Sequence, residues 1–186
     1  MHNFRNRHTL SLSLTALLVA ITAVCAQITI PIFVPITLQV FGVFLAGYLL
    51  GARWGAFSMI IYLVIGFLGL PVFANARGGI SIVFSPTFGY LIAFPFAALA
   101  IGFISRMKFG EAKRIIISIA LGIITIYIFG VIWLLIWSRY IAHKPMTLFA
   151  AISVGVFPFV VIDAIKGIAA YYITKAVPKN IYERLK

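Results

Sequence analysis

Apolar residues run through most of the chain in long blocks, which are separated by short stretches rich in polar residues, glycine or proline. Such blocks are typical of transmembrane helices, each of which needs about 20 residues to cross a bilayer. The pattern predicts six apolar segments, at 9–28, 37–50, 56–70, 88–104, 115–137 and 147–174. The second and third are short for a crossing, so we expect them to extend into their flanks or to lie within the bundle. The chain is therefore predicted to be an all-α integral membrane bundle of six transmembrane helices.

The composition supports residence in a membrane. Of the 186 residues, 63% are hydrophobic and 10% are charged, whereas a soluble domain carries roughly a quarter charged residues. A chain of this length has room for one compact bundle, so we predict a single transmembrane domain over residues 1–186. The formal net charge of +12 does not indicate a nucleic-acid-binding protein, because the cations lie at the ends of segments and form no basic face.

The placement of lysine and arginine predicts the orientation, since cytoplasmic loops carry an excess of both. One side of the predicted bundle has only Arg77, Arg139 and Lys144. The other side, which we take to be cytoplasmic, is much richer in cations: Arg5, Arg7, Arg53, Arg106, Lys108, Lys113, Arg114, Lys175, Lys179, Arg184 and Lys186. With six segments, both termini are then expected in the cytoplasm.

The first segment has a second interpretation. Basic residues before it, the apolar run itself and the small residues of the stretch 23–26 also fit a cleaved signal peptide. Cleavage would leave five segments. We favour an uncleaved first helix, because the stretch 28–36 is as apolar as a turn buried in a membrane and does not resemble a mature N-terminus.

Asp163 and Lys166 form the principal candidate site. Both occur inside the sixth apolar segment, where burying one charge costs on the order of 3 kcal/mol. Their spacing puts them on one helix face, with about 5–6 Å between the Cβ atoms. A buried ion pair rarely adds net stability over apolar residues, and ionisable residues inside a membrane usually serve a function. We predict a ligand site here; a mutually neutralising structural pair is the alternative.

Further polar residues lie on the outward side of the predicted bundle. Prolines and glycines make the loops 29–35 and 71–89 irregular, and apolar irregular backbone is tolerated near a membrane where it lines a cavity or is buried in protein. We expect the polar residues in and beside these loops to contribute to one site, the alternatives being capping residues and ordinary outer loops. They are Thr37, Gln39, Asn75, Arg77, Ser85, Thr87 and Tyr90.

Enzyme chemistry is not indicated. His2, His8 and His143 all lie outside the apolar segments, with no HExxH pattern or paired carboxylates nearby, so neither a metal site nor a cofactor is predicted. The P-loop pattern, GxxxxGK followed by serine or threonine, does not occur either. Any ATP-driven step would therefore need another subunit.

Several stretches together resemble the BioY family of biotin transporters. The first is 35–39, PITLQ, followed by 45–51, LAGYLLG. The second is 66–73, GFLGLPVF, which leads through Gly78 and Gly79 to 85–91, SPTFGYL. The third is 158–166, PFVVIDAIK, which contains Asp163 and Lys166. The resemblance covers nearly the full chain in order and spacing.

This resemblance implies the substrate-binding S-component of an energy-coupling-factor (ECF) transporter, which captures biotin from outside a prokaryotic plasma membrane. It implies a transmembrane coupling subunit that contacts the alanine-rich first helix, where Ala16 and Ala20 have a small-xxx-small spacing, and two ATPase subunits that supply energy. It also implies that the loop before the fourth segment lids the pocket. The biotin pocket would contain Asp163 and Lys166, with Gln39, Thr37, Tyr90, Asn75, Arg77 and Ser85 beside them.

Two positions depart from the family pattern. Phe88 stands where the first glycine of a pair is common, and Arg77 stands where a small or uncharged residue is frequent. The phenylalanine is expected to narrow the outer loop, and the arginine to add a partner for a carboxylate.

Two other functions stay open at this point. A stand-alone proton- or ion-coupled transporter would use Asp163 as its relay and would lose transport when the gradient is collapsed. An assembly subunit without a ligand would tolerate apolar residues in place of Asp163 and Lys166.

Overall fold

The computed structural model describes residues 2–178, with side chains from His8 onward. Lys179, Arg184 and Lys186, which entered the prediction of orientation, lie outside the described residues, as do the side chains of Arg5 and Arg7. Most of the described range is helical: α1 (His2–Gln27), α2 (Gln39–Phe67), α3 (Phe88–Ser105), α4 (Glu111–Tyr140), α5 (Leu148–Gly155) and α6 (Val160–Ala176).

The connections at one end of the bundle carry the remaining regular structure. β1 (Thr29–Ile30) pairs antiparallel with β2 (Ile36–Thr37) and closes the turn between α1 and α2. Two short 3₁₀ helices, Ala74–Ala76 and Ile80–Phe84, lie in the loop between α2 and α3. Both loops are therefore folded segments that contribute fixed backbone to this end of the bundle.

α2 is a helical hairpin and not a straight rod. Gly51 has φ 78° and ψ −171°, a conformation that glycine adopts without steric cost. A Cβ at Gly55 would lie 2.8 Å from Ala46 O, although these residues would be about 13.5 Å apart along the axis of a straight helix. The hydrogen bond from Gln39 Nε2 to the Tyr62 hydroxyl, 2.6 Å long, joins the two far ends. The second and third predicted segments are therefore the two limbs of this hairpin.

α3 packs against the hairpin and α4. The approach is closest at Gly102, where a Cβ would lie 2.3 Å from Ala52 N, and at Gly47, where it would lie 2.8 Å from the Ile101 side chain. Glycines at such positions allow helix backbones to meet closely inside a membrane. The core beside these contacts is apolar and includes Phe44, Met59, Tyr62, Phe94, Ile101 and Ile126.

The sixth predicted segment is two helices. α5 ends at Gly155, α6 begins at Val160, and their axes are bent by 45°. Pro158 lies in the break; proline lacks an N–H and its ring clashes with the preceding helical turn. The apolar segment predicted over 147–174 is therefore divided at Pro158 into two helices. Because of the break, Asp163 lies in the first turn of α6, where the positive end of the helix dipole stabilises a carboxylate.

The helices have the length and apolar character of membrane spans. Among the described residues, α1 from His8, α2, α3 and α4 each qualify, and the bent pair α5–α6 would be a fifth. α2 is one of these four helices, although it doubles back at Gly51. The outward surfaces are also apolar, with exposed side chains such as Leu12, Val64 and Ile124. The predicted helical, multi-pass architecture is thus confirmed.

The two ends of the bundle differ in character. His8 lies beside Trp54, with 6.2 Å between ring centroids, and Lys175 pairs with Glu111 at 2.7 Å. Tyr171 of α6 also packs against Tyr48, with 5.5 Å between ring centroids. The beginning of α1 and the end of α6 therefore lie at the same end as the Gly51 turn. The paired strands and the α2–α3 loop lie at the opposite end, above the polar residues that the sequence singled out.

Candidate ligand-binding site

A cavity of about 310 Å³ lies beneath the two loops at this second end of the bundle. Its volume suits a small organic ligand, because such sites commonly measure roughly 300–1,000 Å³. The apolar part of its wall includes Val34, Val40, Phe73, Ile82, Leu91, Phe94, Ile126 and Phe159. Every residue predicted to contact a substrate also lines it: Asp163, Lys166, Gln39, Tyr90, Thr37, Asn75, Arg77 and Ser85.

Asp163 and Lys166 form a buried ion pair in the wall of this cavity. Lys166 Nζ lies 2.6 Å from Asp163 Oδ1, and the two residues are 5% and 3% exposed. Lys166 Nζ also donates to Thr37 O at 2.8 Å, and the Tyr127 hydroxyl donates to Asp163 Oδ2 at 2.8 Å. An ammonium group has three donors, and a carboxylate has about four acceptor positions. One donor of Lys166 and part of the Asp163 carboxylate are therefore left for a ligand.

The same contacts fix the geometry of the pair. Desolvation of two charges costs several kcal/mol per ion, and removal of one partner from a buried pair typically costs about 3–5 kcal/mol. Lys166 reaches from α6 to the end of β2, and Tyr127 reaches from α4 to α6. Three elements of the fold thus hold one carboxylate and one ammonium group in a defined orientation.

Gln39 is held by a chain of hydrogen bonds. The Thr37 hydroxyl donates to Gln39 Oε1 at 3.0 Å, Gln39 Nε2 donates to the Tyr62 hydroxyl at 2.6 Å, and that hydroxyl donates to Val72 O at 2.8 Å. The chain joins β2, both limbs of α2 and the outer loop. One N–H of the Gln39 amide is not used by these bonds, and Gln39 lines the cavity.

Tyr90 contributes a ring to the cavity wall, while its hydroxyl is used elsewhere. The hydroxyl donates to Gly155 O at 2.9 Å. A Cβ at Gly130 would lie 2.3 Å from Tyr90 Cε1, and one at Gly155 would lie 2.3 Å from its hydroxyl oxygen. The two glycines therefore form the slot that accepts this ring, and Tyr90 joins α3 to α4 and α5.

Ser85 belongs to a loop that α4 holds in position. Its hydroxyl lies 2.8 Å from the Thr87 hydroxyl, and its carbonyl accepts a hydrogen bond from Trp133 Nε1 at 2.8 Å. Trp137 Nε1 donates to Phe84 O at 2.7 Å. The loop before α3 is thus fixed at its base, with the Ser85 side chain at the cavity.

Phe88 does not narrow the cavity. Its ring packs against Trp133, with 4.9 Å between centroids, and lies 6.1 Å from the Phe67 ring. It is not among the residues that line the cavity. The side chain is directed into the contact between α2 and α4, so this departure from the family pattern has no direct part in the cavity wall.

Asn75 and Arg77 lie on an exposed turn at the edge of the cavity, which we call the outer turn (73–77). Phe73 N donates to Arg77 O at 2.9 Å and closes the turn. Asn75 and Ala76 have φ 59° and 53°, the left-handed region that costs an L residue roughly 1–2 kcal/mol. Among the described residues no carboxylate lies within ion-pair distance of Arg77, so its charge is available to a ligand.

Tyr127 is the main residue of the site that the sequence did not single out. It lies in the middle of the fifth apolar segment, where a tyrosine resembles any other large side chain. Its hydroxyl was the available signal, since a buried tyrosine hydroxyl normally finds a hydrogen-bond partner. The loop 31–35, from which the sequence singled out no site residue, also lines the cavity, and so does Phe159 in the break before α6.

Taken as chemistry, the cavity combines an apolar body with converging polar groups. Asp163 accepts, Lys166 and Arg77 donate with positive charge, and Gln39 offers an amide. In the described part of the chain, no group of three or more histidine, cysteine, aspartate or glutamate side chains is arranged to hold a metal ion. The arrangement suits a small, mostly apolar ligand with N–H donors and an acidic group.

Comparison with known proteins identifies the family. The family model described as the BioY family matches residues 2–183. The probable biotin transporter BioY of Pyrococcus horikoshii is 41% identical over 169 residues, which cover 90% of this chain and 96% of that protein. The chain belongs to the BioY family. The biotin transporter BioY of Thermotoga maritima, another member, is 40% identical over 166 residues, covering 89% of this chain and 94% of that protein.

A solved structure extends the likeness to three dimensions. The crystal structure of the S-component for biotin from an ECF-type ABC transporter matches with a TM-score of 0.78 and 28% sequence identity, covering 95% of this chain and 97% of that one. The resemblance to the BioY family drawn from the sequence is therefore confirmed. These relatives are named as transporters, and none of the three is named as an enzyme.

Proposed function

We propose that this chain is the substrate-binding S-component for biotin of an ECF-type transporter. One observation carries the proposal: the buried Asp163–Lys166 pair, with donor and acceptor capacity to spare, lines a cavity of ligand size. The family adds the ligand, because relatives that match nearly the whole chain are named biotin transporters.

The chemistry of biotin fits the cavity group by group. Its ureido ring has two N–H donors and a carbonyl acceptor, its fused sulfur ring and chain are apolar, and its tail ends in a carboxylate. We assign the ureido N–H groups to the free positions of Asp163. We assign the carboxylate to Arg77, which is exposed and unpaired in the described residues, since a charged group is least costly to bind where it stays partly hydrated.

Equilibrium binding of biotin to the purified chain in detergent tests this proposal directly. We expect tight binding by the parent chain and at least roughly tenfold weaker binding by Asp163→Asn and Lys166→Ala, because each removes a charge-assisted contact. Size-exclusion profiles and unfolding temperatures establish whether each variant is folded. Absence of biotin binding by a folded parent chain would refute the proposal.

We also infer that the chain crosses a prokaryotic plasma membrane six times with both termini in the cytoplasm. Support comes from the doubling back of α2 and from the cations Arg53, Arg106 and Lys108 at the end where α1 begins. Impermeant maleimide labelling of intact cells tests it in a Cys25→Ser background. A cysteine replacing Lys144 is expected to react at once, and one replacing Lys108 only after the membrane is permeabilised. The reverse labelling would invert the topology.

The partners follow from the S-component role. We expect a transmembrane coupling subunit on the face of α1 that carries Ala16 and Ala20, and two ATPase subunits behind it. Both alanines are exposed on the described surface. A stand-alone proton-coupled transporter has less support, because a solved structure that matches 95% of this chain is the S-component for biotin of an ECF-type ABC transporter.

A further inference from the structure

Gln27, the last residue of α1, is bonded to the backbone of the outer turn. Its side-chain Oε1 accepts a hydrogen bond from Ala76 N at 2.9 Å. Its Nε2 lies 3.2 Å from Phe73 O and 3.4 Å from Pro71 O, and also 3.1 Å from Ala23 O in its own helix. The side-chain amide of Gln27 therefore both donates hydrogen bonds to the backbone of the outer turn and accepts one from it.

The backbone conformation of the outer turn is one that contacts from outside the turn have to stabilise. Asn75 and Ala76 are consecutive residues in the left-handed region, which alanine occupies at a steric cost that glycine would avoid. On one side the turn is anchored by Phe73, which is 1% exposed and packs against Tyr62 and Phe67. The Asn75–Arg77 side has no comparable apolar anchor, because all three of its residues are exposed.

A second bond comes from the same stretch of chain. The Thr29 hydroxyl donates to Asn75 Oδ1 at 3.0 Å. Thr29 begins β1, immediately beyond the end of α1. The conformation of the exposed side of the turn is therefore set by α1 and the residues that follow it, although the turn belongs to the loop between α2 and α3.

We propose that Gln27 is a positioning residue for the ligand: by holding the Ala76 peptide it directs Arg77 to the cavity. This inference rests on the proposed function, since it concerns the cation assigned to the biotin carboxylate. Gln27 itself does not line the cavity. It acts on binding only through the turn, and its loss leaves the Asp163–Lys166 pair untouched.

The first experiment measures biotin association and dissociation rates for Gln27→Met, whose side chain has a similar length but no amide. We expect binding weaker by roughly five- to tenfold, as for one or two lost hydrogen bonds, with most of the change in the dissociation rate. Ser13→Ala is the matched control: Ser13 is also exposed on α1, and within the part of the chain that the structure describes its hydroxyl donates to Thr9 O of the same helix. Equal binding by Gln27→Met and Ser13→Ala would overturn the proposal.

Amide hydrogen exchange separates positioning from general destabilisation. In the ligand-free Gln27→Met variant we expect faster exchange in the segment 70–79 and parent-like exchange in α3 and α6. Faster exchange throughout the bundle would show that Gln27 supports the fold as a whole, and it would overturn the proposal. This measurement needs no ligand, so it tests the hydrogen bonds between Gln27 and the turn independently of biotin binding. A parent chain that does not bind biotin would refute the proposed function and would leave this test valid.

A double-mutant cycle identifies the residue through which Gln27 acts. In an Arg77→Gln background, Gln27→Met is expected to weaken biotin binding by less than about twofold, because the cation that it positions is already absent. A cost in that background as large as in the parent chain would show that Gln27 acts by another route and would overturn the assignment.

Discussion

Asp163 is expected to have two roles, as an acceptor for the ligand and as the counter-charge of the buried Lys166. A single substitution at Asp163 removes both. Replacing only Asp163 leaves Lys166 buried without its counter-charge, so a loss of binding could follow from misfolding alone. Replacing both residues removes the two charges together. Apolar residues of similar volume are commonly as stable as a buried ion pair or more stable.

The double variant Asp163→Leu/Lys166→Met is therefore expected to stay folded, with an unfolding temperature equal to or above that of Asp163→Leu alone. It is expected to lose biotin binding completely, because the cavity then has neither the acceptor nor the inner cation. Differential scanning fluorimetry and equilibrium binding check the two halves of the prediction. A folded double variant that still binds biotin tightly would make the pair a structural element, as an assembly subunit requires.

Tyr127 offers a finer substitution at the same carboxylate. Tyr127→Phe removes the donor to Asp163 Oδ2 and keeps the ring, so the cavity hardly changes in shape. A hydrogen bond to a charged group contributes about 1.5–3 kcal/mol, so we expect biotin affinity to fall by roughly tenfold or more. Tyr140→Phe in the same helix is the control, since Tyr140 is 67% exposed. Parent-like biotin affinity in Tyr127→Phe would show that binding does not depend on the hydrogen bond by which Tyr127 orients Asp163.

The sequence revealed the site residues that contrast with their surroundings. Asp163 and Lys166 are conspicuous inside an apolar segment, and Gln39 and Arg77 beside apolar loops. Tyr127 and Gln27 were not found, because a tyrosine inside a helix and a glutamine at its end are ordinary in sequence. Their importance comes from which neighbouring element they reach, and a single sequence does not contain the register between helices.

Among the elements, α2 shows what hydrophobic segmentation can predict and where it stops. The break near Gly51 was visible as the end of one apolar run, so two short segments were expected. That α3 packs across the turn between them was not predictable, since it depends on the absence of side chains at Gly47 and Gly102 and on the register of the two helices. The proline at 158 was the sequence signal for the break, and the apolar character on both sides of it is why 147–174 was predicted as one segment.

The contact between α3 and the turn of α2 yields a prediction at this scale. Gly102→Ala would bring a Cβ within 2.3 Å of Ala52 N, and the obstructing atom is backbone, which cannot rotate away. We expect a loss of about 1–3 kcal/mol in stability, measured as a lower unfolding temperature. Gly110→Ala is the control, because a Cβ there would meet nothing within 4 Å. Equal unfolding temperatures of the two variants would show that the close contact between Gly102 and Ala52 does not contribute to the stability of the fold.

For the molecule as a whole, α1 has two distinct sides. Leu18 and Thr22 are 1% and 0% exposed and face the bundle, whereas Ala16 and Ala20 are exposed on the outer surface. The helix ends at Gln27, which is bonded to the outer turn. Ligand capture and subunit contact are therefore expected to use different parts of the chain, and a substitution on the outer side of α1 is expected to impair one without the other.

Ala16→Trp/Ala20→Trp tests that separation. Bulky side chains on a surface of small residues prevent the close helix approach that such surfaces permit in a membrane. We expect the isolated variant to bind biotin as tightly as the parent chain, while it fails to co-purify with the coupling and ATPase subunits and supports no ATP-dependent uptake.

Ala120→Trp, which changes the same residue type on the exposed surface of α4, is the matched control and is expected to keep all three properties. If the α1 variant instead assembled and transported normally, the coupling subunit would have to contact another face of the bundle. If it lost biotin binding together with assembly, the exposed side of α1 would be coupled to the cavity, and the hydrogen bonds between Gln27 and the outer turn would be the first place to examine by hydrogen exchange.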